Sequence, residues 1–202
     1  MLTKLHEFLR SRRSIRRFKP LAVPEDIINR ILETASHAPS AHNRQPWRFA
    51  VLTHLQPKIR LSELLAADFR RDLSADQLDE TTIEARLNRS KNRIKDAPLI
   101  IILCMDSSEM DIYPDEKRAT AERTMAIQSV AAAGLQIQLA AHAEGLGSVW
   151  TCSPLFSPQT VRTALDLPEN WEPQAMYFIG YPDENSRAKE LKPLENVLLR
   201  VT

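Results

Sequence analysis

Pro98-Leu-Ile-Ile-Ile-Leu-Cys-Met105 is a continuous apolar run, closed by proline at one end and by Asp106 at the other. It lacks the polar alternation of a half-exposed strand and is far shorter than the ~18 residues of a membrane span. The run therefore predicts a strand buried on both faces. That one element commits the chain to a sheet covered by helices. Arg48–Thr53 and Gln174–Tyr181 read as further strands, and Gly145-Leu-Gly-Ser-Val-Trp150 opens another after a glycine stop. Glu195–Thr202 has strand-like character at the very end. An apolar tail must dock somewhere, and a second subunit is the natural place.

Helices fill the intervals. Leu2, Leu5, Phe8 and Leu9 recur at helical spacing, so residues 3–13 predict a short amphipathic helix. Pro24 suits the first turn of the next, with Glu25 and Asp26 at the positive end of its dipole and Ile27, Ile28, Ile31, Leu32 and Ala35 on one face as far as His37. Residues 57–67 and Pro158–Leu167 read as helical. Residues 68–96 are highly charged, with sparse apolar points at Leu78, Ile83, Leu87 and Ile94, and read as a peripheral helical excursion and candidate lid. From Asp115 to Glu144 runs a long alanine-rich helix whose small residues would let a second helix approach closely, as at a subunit interface. No linker or repeat divides the 202 residues, so one α+β domain is expected.

A formal net charge of +1 gives no reason to expect nucleic acid or an anionic membrane as partner. Nothing at the N-terminus reads as a secretory signal, and Cys104 and Cys152 form neither a disulfide framework nor a metal-ligand pair, which fits the cytoplasm. No metal is expected. With only four glycines the chain has no G-x-G-x-x-G, no Walker loop and no nucleophile elbow. A phosphorylated cofactor would have to be held by side chains.

Two stretches offer such side chains. Arg12-Arg13-Ser14-Ile15-Arg16-Arg17-Phe18 carries four arginines and a serine within six residues. In extended chain Arg12, Ser14 and Arg16 would share one side, with Arg13, Ile15 and Arg17 opposite. Guanidinium forks flanking a hydroxyl suit a phosphate, although basic turns are more often simply solvated. The second stretch, Ala38-Pro39-Ser40-Ala41-His42-Asn43-Arg44-Gln45-Pro46-Trp47-Arg48-Phe49, is stiffened by two prolines, with Ser40, Asn43 and Gln45 as short-armed polar groups and Trp47 and Phe49 as apolar anchors. It reads either as a capped helix-to-strand connection or as a rigid holder for a flat ligand edge.

With Gly145-Leu-Gly-Ser-Val-Trp150 as the third segment, these stretches stand in the order and spacing of the nitroreductase family, which the chain resembles from about Leu9 to Lys189. The resemblance implies the nitroreductase-like fold, a central, mostly antiparallel sheet wrapped by helices in an interlocked homodimer with two FMN sites at the interface. It implies that Arg12, Arg13, Ser14 and Arg16 grip the phosphate and ribityl chain, with Arg12 nearer the phosphate and Arg16 nearer the ring. It implies that Pro39, Ser40 and Asn43 reach the flavin from the partner, that Cys152 and Ser153 face its redox edge, and that Lys189, or Arg187 as second choice, completes the phosphate site. Hydride would pass through flavin N5 from a reduced nicotinamide to an organic acceptor, in ping-pong turnover, with no side chain as nucleophile. Cys152 reads as a small packing residue before a redox thiol, and His42 as an ordinary loop histidine before a proton donor.

A narrower resemblance is to the C-terminal flavin domain of the bifunctional coenzyme F-420 biosynthesis protein, associated with reduction of dehydro-F-420-0. Asp68-Phe-Arg-Arg-Asp72, Lys95-Asp-Ala-Pro98, Ala121-Glu-Arg-Thr-Met125 and Asp166-Leu-Pro-Glu-Asn-Trp171-Glu-Pro173 carry it. It implies a flavin-site role for Asp72 and a place near the deazaflavin for Met125. No ligase domain is expected ahead of this one, and the chain departs from that branch in Asn43-Arg44-Gln45 and in Cys152, where glycine is common. A broad NAD(P)H-dependent nitro/quinone reductase and a flavin- or deazaflavin-binding protein without turnover are the alternative expectations.

Overall fold

The computed structural model describes residues 2–185 and 189–201. Its centre is a four-stranded, fully antiparallel sheet of β1 (Trp47–Leu52), β2 (Leu99–Asp106), β3 (Gly147–Thr151) and β4 (Trp171–Gly180), in the order β1-β2-β4-β3. The apolar run is β2, buried along its whole length. Leu99, Ile101, Leu103 and Met105 face one side, packed with Ile31 and Ala35 of α2 (Glu25–Ser36) and with Ala133 and Ile137 of α5 (Glu116–Ala143). Ile100, Ile102 and Cys104 face the other, against Leu61 and Leu65 of α3 (Leu55–Ala75), Ile94 of α4 (Glu80–Asp96) and Val161 of α6 (Pro158–Leu165). Helices on both faces explain why a strand in an antiparallel sheet shows no alternation.

β4 begins earlier than its apolar core suggests. Pro173 has no N–H for the ladder, and the register between β2 and β4 shifts at Leu103/Cys104, where a bulge absorbs it. α3 also exceeds expectation. Leu61 and Leu65 pack in the main core, and Phe69 and Leu73 carry the same inner face on past residue 67 into the charged stretch, where the helix continues to Ala75. Beyond the main core, α3 and α4 form a hairpin with a small core of its own, Ala66, Leu73, Ile83 and Leu87. Lys58 is buried beneath that hairpin and donates to the carbonyls of Ala97 (2.6 Å), Pro98 (3.0 Å) and Thr53 (3.3 Å), tying the end of α4 to the start of α3.

The C-terminal expectation is corrected. Residues 189–201 hold one 3-10 turn, Leu194–Asn196, and no strand. Leu194, Val197, Leu199 and Val201 are all exposed, and no strand of the sheet pairs with this tail among the described residues. No helix is long and apolar enough to cross a membrane among the described residues.

Candidate functional site

The basic segment follows α1 (Leu2–Ser11) and runs past one end of the sheet, from the start of β3 to the residues just after β4. Ser14 bridges Ser148 of β3, where the Ile15 N–H donates to the Ser148 carbonyl at 3.0 Å. Ile15 is buried against Gly147, so closely that a Cβ at 147 would lie 2.7 Å from that of Ile15. Further on, Phe18 bridges Pro182, Lys19 N–H donates to Tyr181 (2.9 Å) and Asp183 N–H donates to the Arg17 carbonyl (3.0 Å). The tight fit of Ile15 fixes which way the neighbouring arginines can turn.

They turn into a cavity of about 430 Å³ lined by Arg12, Arg13, Ser14, Arg16 and Lys189, with Glu184 and Asn185 at its wall. The expected alternation is corrected here. Arg13 lines the cavity together with Arg12 and Arg16, since the segment is bridged only at its ends, at Ser14 and Phe18, and is not a regular strand between them. The Arg13 Nη1 donates to the carbonyls of Arg10 (2.5 Å) and Arg12 (3.0 Å). The Arg12 Nη1 is buried and has no hydrogen-bond partner among the described residues. A buried guanidinium nitrogen with no acceptor is costly unless an anion meets it. A cavity lined by three arginines and a lysine has the chemistry of a phosphate site. Lys189 is in place, while Arg187 lies outside the described residues.

Behind the arginines, a second hollow of about 310 Å³ reaches His142 of α5. The His142 ring stacks on Phe8 at 4.9 Å, and its Nε2 lies 2.7 Å from the Ser11 Oγ. Burial, then the charges of Arg12 and Arg13, hold its pKa below the ordinary histidine value.

The second stretch forms a separate loop with Ala38 and Trp47 buried at its ends; of the two expected anchors Trp47 is buried and Phe49 half-buried. His42, Asn43 and Gln45 have φ of 51°, 54° and 51°, the left-handed region that non-glycine residues avoid. Three such residues within four positions store strain that the surroundings must hold. Ser129 of α5 does so by accepting the Ala41 N–H at 3.1 Å, and the Ser40 Oγ accepts the Gln45 N–H at 3.1 Å. Asn43 Oδ1 accepts from Gln45 Nε2 (3.3 Å). Arg44 pairs with Asp111 (2.6 Å), and Arg48 pairs with Asp106 and Glu109, both at 3.0 Å. Pro39 and Asn43 point outward, exposed, and His42 is exposed too.

Within one chain this loop does not line the arginine cavity, and neither do Asp72, Met125, Cys152 and Ser153. Asp72 is exposed near the outer end of α3, and Met125 is half-buried on α5. Cys152 and Ser153 are exposed after β3, so Cys152 does not pack as a core residue. Sequence reasoning missed Glu184, Ser129 and His142. The second acid of Tyr-Pro-Asp-Glu, a serine in an alanine-rich helix and a histidine near a helix end carry no pattern.

The nitroreductase family model matches residues 9–181. YfhC of Bacillus subtilis, named for NAD(P)H nitroreductase activity, is 30% identical over 192 residues, covering 95% of this chain and 91% of its own. A Methanothermobacter thermautotrophicus protein named for NADH dehydrogenase/NAD(P)H nitroreductase activity is 32% identical over 187 residues, 92% of this chain and 81% of its own. A Desulfovibrio desulfuricans protein, named a nitroreductase and solved in complex with FMN, superposes with a TM-score of 0.73 at 28% identity, covering 98% of this chain and 96% of its own.

Proposed function

The chain belongs to the nitroreductase family, and from that premise we propose that it is an FMN-dependent oxidoreductase acting between a reduced nicotinamide and a small organic acceptor. The observation that carries the reading is the cavity lined by Arg12, Arg13, Arg16 and Lys189, beside which the buried Arg12 Nη1 has no partner among the described residues. Arg12, Arg13, Ser14 and Lys189 would take the phosphate and the ribityl chain, with Arg187 as a further candidate. Arg16 would lie toward the ring, where its charge favours the electron-rich reduced state. FMN, when bound, supplies the two-electron redox chemistry. The chain's own residues bind and orient it.

The rest of the site is proposed to come from a second copy. The strained loop of Pro39, Ser40 and Asn43 is held rigid and turned outward, away from its own chain's arginines, which suits a loop that completes a partner's site. Cys152 and Ser153, exposed at the end of β3, would then border the ring. Small exposed residues there leave room for donor and acceptor in turn.

For the acceptor we propose a deazaflavin precursor, dehydro-F-420-0, on the resemblance of the Asp68–Asp72, Lys95–Pro98, Ala121–Met125 and Asp166–Pro173 runs, with Asp72 and Met125 placed toward it and the α3–α4 hairpin as a lid. Broad nitro- and quinone-reductase activity is the alternative favoured by the relatives' names. The experiment is direct. Purified protein should be yellow and release FMN on heating, about one per chain. NADH or NADPH should bleach it, and a screen of deazaflavin precursor, quinones and nitroaromatics should rank the acceptors. Bound flavin that no reductant bleaches would mark a binding protein without turnover. Failure to quench added FMN fluorescence would remove the flavin reading itself.

A further inference from the structure

Glu184 is an acid placed inside the basic cluster. Its Oε1 accepts the main-chain N–H of Arg16 at 2.5 Å and that of Arg17 at 3.3 Å. Its Oε2 lies 3.5 Å from the Arg17 Nε, but that guanidinium side chain is 79% exposed against 22% for Glu184, so the main-chain bonds are the better-sheltered contact. The carboxyl is held below the ordinary glutamate range, first by the Arg16 N–H. Glu184 also stands at the wall of the cavity that Arg12, Arg13 and Arg16 line. One carboxylate therefore takes two consecutive N–H groups of the segment and leaves the guanidinium groups of Arg12 and Arg16 without a carboxylate partner among the described residues.

We propose that Glu184 is the positioning residue of the phosphate-binding segment. It clamps the backbone at Arg16 and Arg17 so that the arginine side chains are presented to the ligand, and it does so at the expense of a negative charge beside the bound phosphate. The proposal rests on the FMN reading for its ligand but not for the clamp. It separates two effects that one side chain combines. The hydrogen-bonding shape of the carboxylate preorganises the site, and preorganisation strengthens binding. Its charge repels the phosphate, and between partly exposed groups that repulsion is modest and salt-sensitive.

Two substitutions divide these effects. Glu184→Gln keeps an acceptor of the same reach and removes the charge. Glu184→Ala removes both. Amide exchange in the flavin-free protein reads the clamp. The Arg16 and Arg17 N–H groups should exchange about tenfold faster in Glu184→Ala, with most of the protection kept in Glu184→Gln. Fluorescence titration reads the ligand. Glu184→Gln should bind FMN about threefold tighter than wild type and riboflavin equally well, and Glu184→Ala should bind FMN about tenfold more weakly than Glu184→Gln. Equal exchange in wild type and Glu184→Ala would overturn the clamp. Equal FMN affinity in the two variants would overturn its role in binding. A wild-type chain that binds no FMN while its two amides still respond to the substitutions would instead overturn the flavin reading.

Discussion

The Tyr177 hydroxyl occupies the space where a Cβ at position 134 would stand. Gly134 lies in the middle of α5, and the phenol from β4 reaches the helix backbone only because no side chain is there. Tyr177 is fully buried and its hydroxyl has no hydrogen-bond partner among the described residues. Glycine in a helix and an unmet hydroxyl both cost stability, so the pair is held by shape alone.

Gly134→Ala should therefore destabilise the chain by about 1–3 kcal/mol through overpacking, despite alanine's better helix propensity. Tyr177→Phe should be neutral or stabilising by about 1 kcal/mol, because it removes a buried polar atom that nothing satisfies. The double variant should recover much of the loss. Urea unfolding of the four chains completes the cycle, and additive effects would show that the two positions do not meet.

The contrast between such core contacts and the site explains what the sequence disclosed. β2 and α5 were legible because burial writes itself as apolar runs and small-residue stripes. The outer half of α3 was harder, since Arg70, which pairs with Glu80 and Glu84 of α4, and the exposed Arg71 and Asp72 hide the spacing of Phe69 and Leu73. The tail misled because apolar, β-branched residues signal a strand only where a neighbour exists. At the site, arginines and serines were found by type, but their directions were not. Alternation assumes a strand, and the segment touches the sheet through Ser14 alone before reaching Phe18. Glu184 is unreadable from sequence for the same reason: what it does depends on which amides the fold brings beside it.

His142 gives a pH dependence with a definite sign. Its folded pKa is below the ordinary value of about 6.5. The unfolded chain therefore takes up the proton first as pH falls. The stability associated with neutral His142 is complete above about pH 6.5 and declines as pH drops from there through the folded value. Urea midpoints of wild type and His142→Gln should converge between pH 7.5 and roughly pH 5. The same substitution removes the stacking partner of Phe8, and α1 has no buried residue of its own, so α1 should become more sensitive to proteolysis. A constant difference across that pH range would show that His142 does not titrate in this window.

The exposed tail and the outward face of α5 give the assembly prediction. Leu194, Val197, Leu199 and Val201 are exposed, and so are Ile127 and Leu135 on α5. Apolar surface on this scale marks a contact site, and the proposed occupant is a second copy. Light scattering should give twice the chain mass. Removing the residues after Lys192 should shift the protein toward monomer and weaken FMN binding, with the far-ultraviolet circular dichroism retained. A truncated chain that stays dimeric would move the interface onto α5 alone.

Arg12 and Arg16 carry the last prediction. Both line the cavity, but of the two only Arg12 has a buried nitrogen without a partner among the described residues, while Arg16 is exposed and its Nη1 makes one long bond to the Ser14 carbonyl at 3.4 Å. An arginine that meets phosphate should matter for FMN and little for riboflavin, which has none. Arg12→Ala should thus weaken FMN by about one to two decades, the worth of a charge-assisted bond of about 1.5–3 kcal/mol, with riboflavin nearly unchanged. Arg16→Ala, placed nearer the ring, should weaken both flavins and lower the reduction potential of the bound one, since the electron-rich state loses a positive neighbour. The loss in Arg12→Ala should change little with salt because that nitrogen is sheltered, and the loss in Arg16→Ala should shrink as salt rises. Titrating both flavins into the three chains at two salt concentrations, with a dye-coupled potential for each holoprotein, reads all four quantities. Equal losses for FMN and riboflavin in Arg12→Ala would return these arginines to a solvated turn and move the search for the phosphate to Lys189 and Arg187.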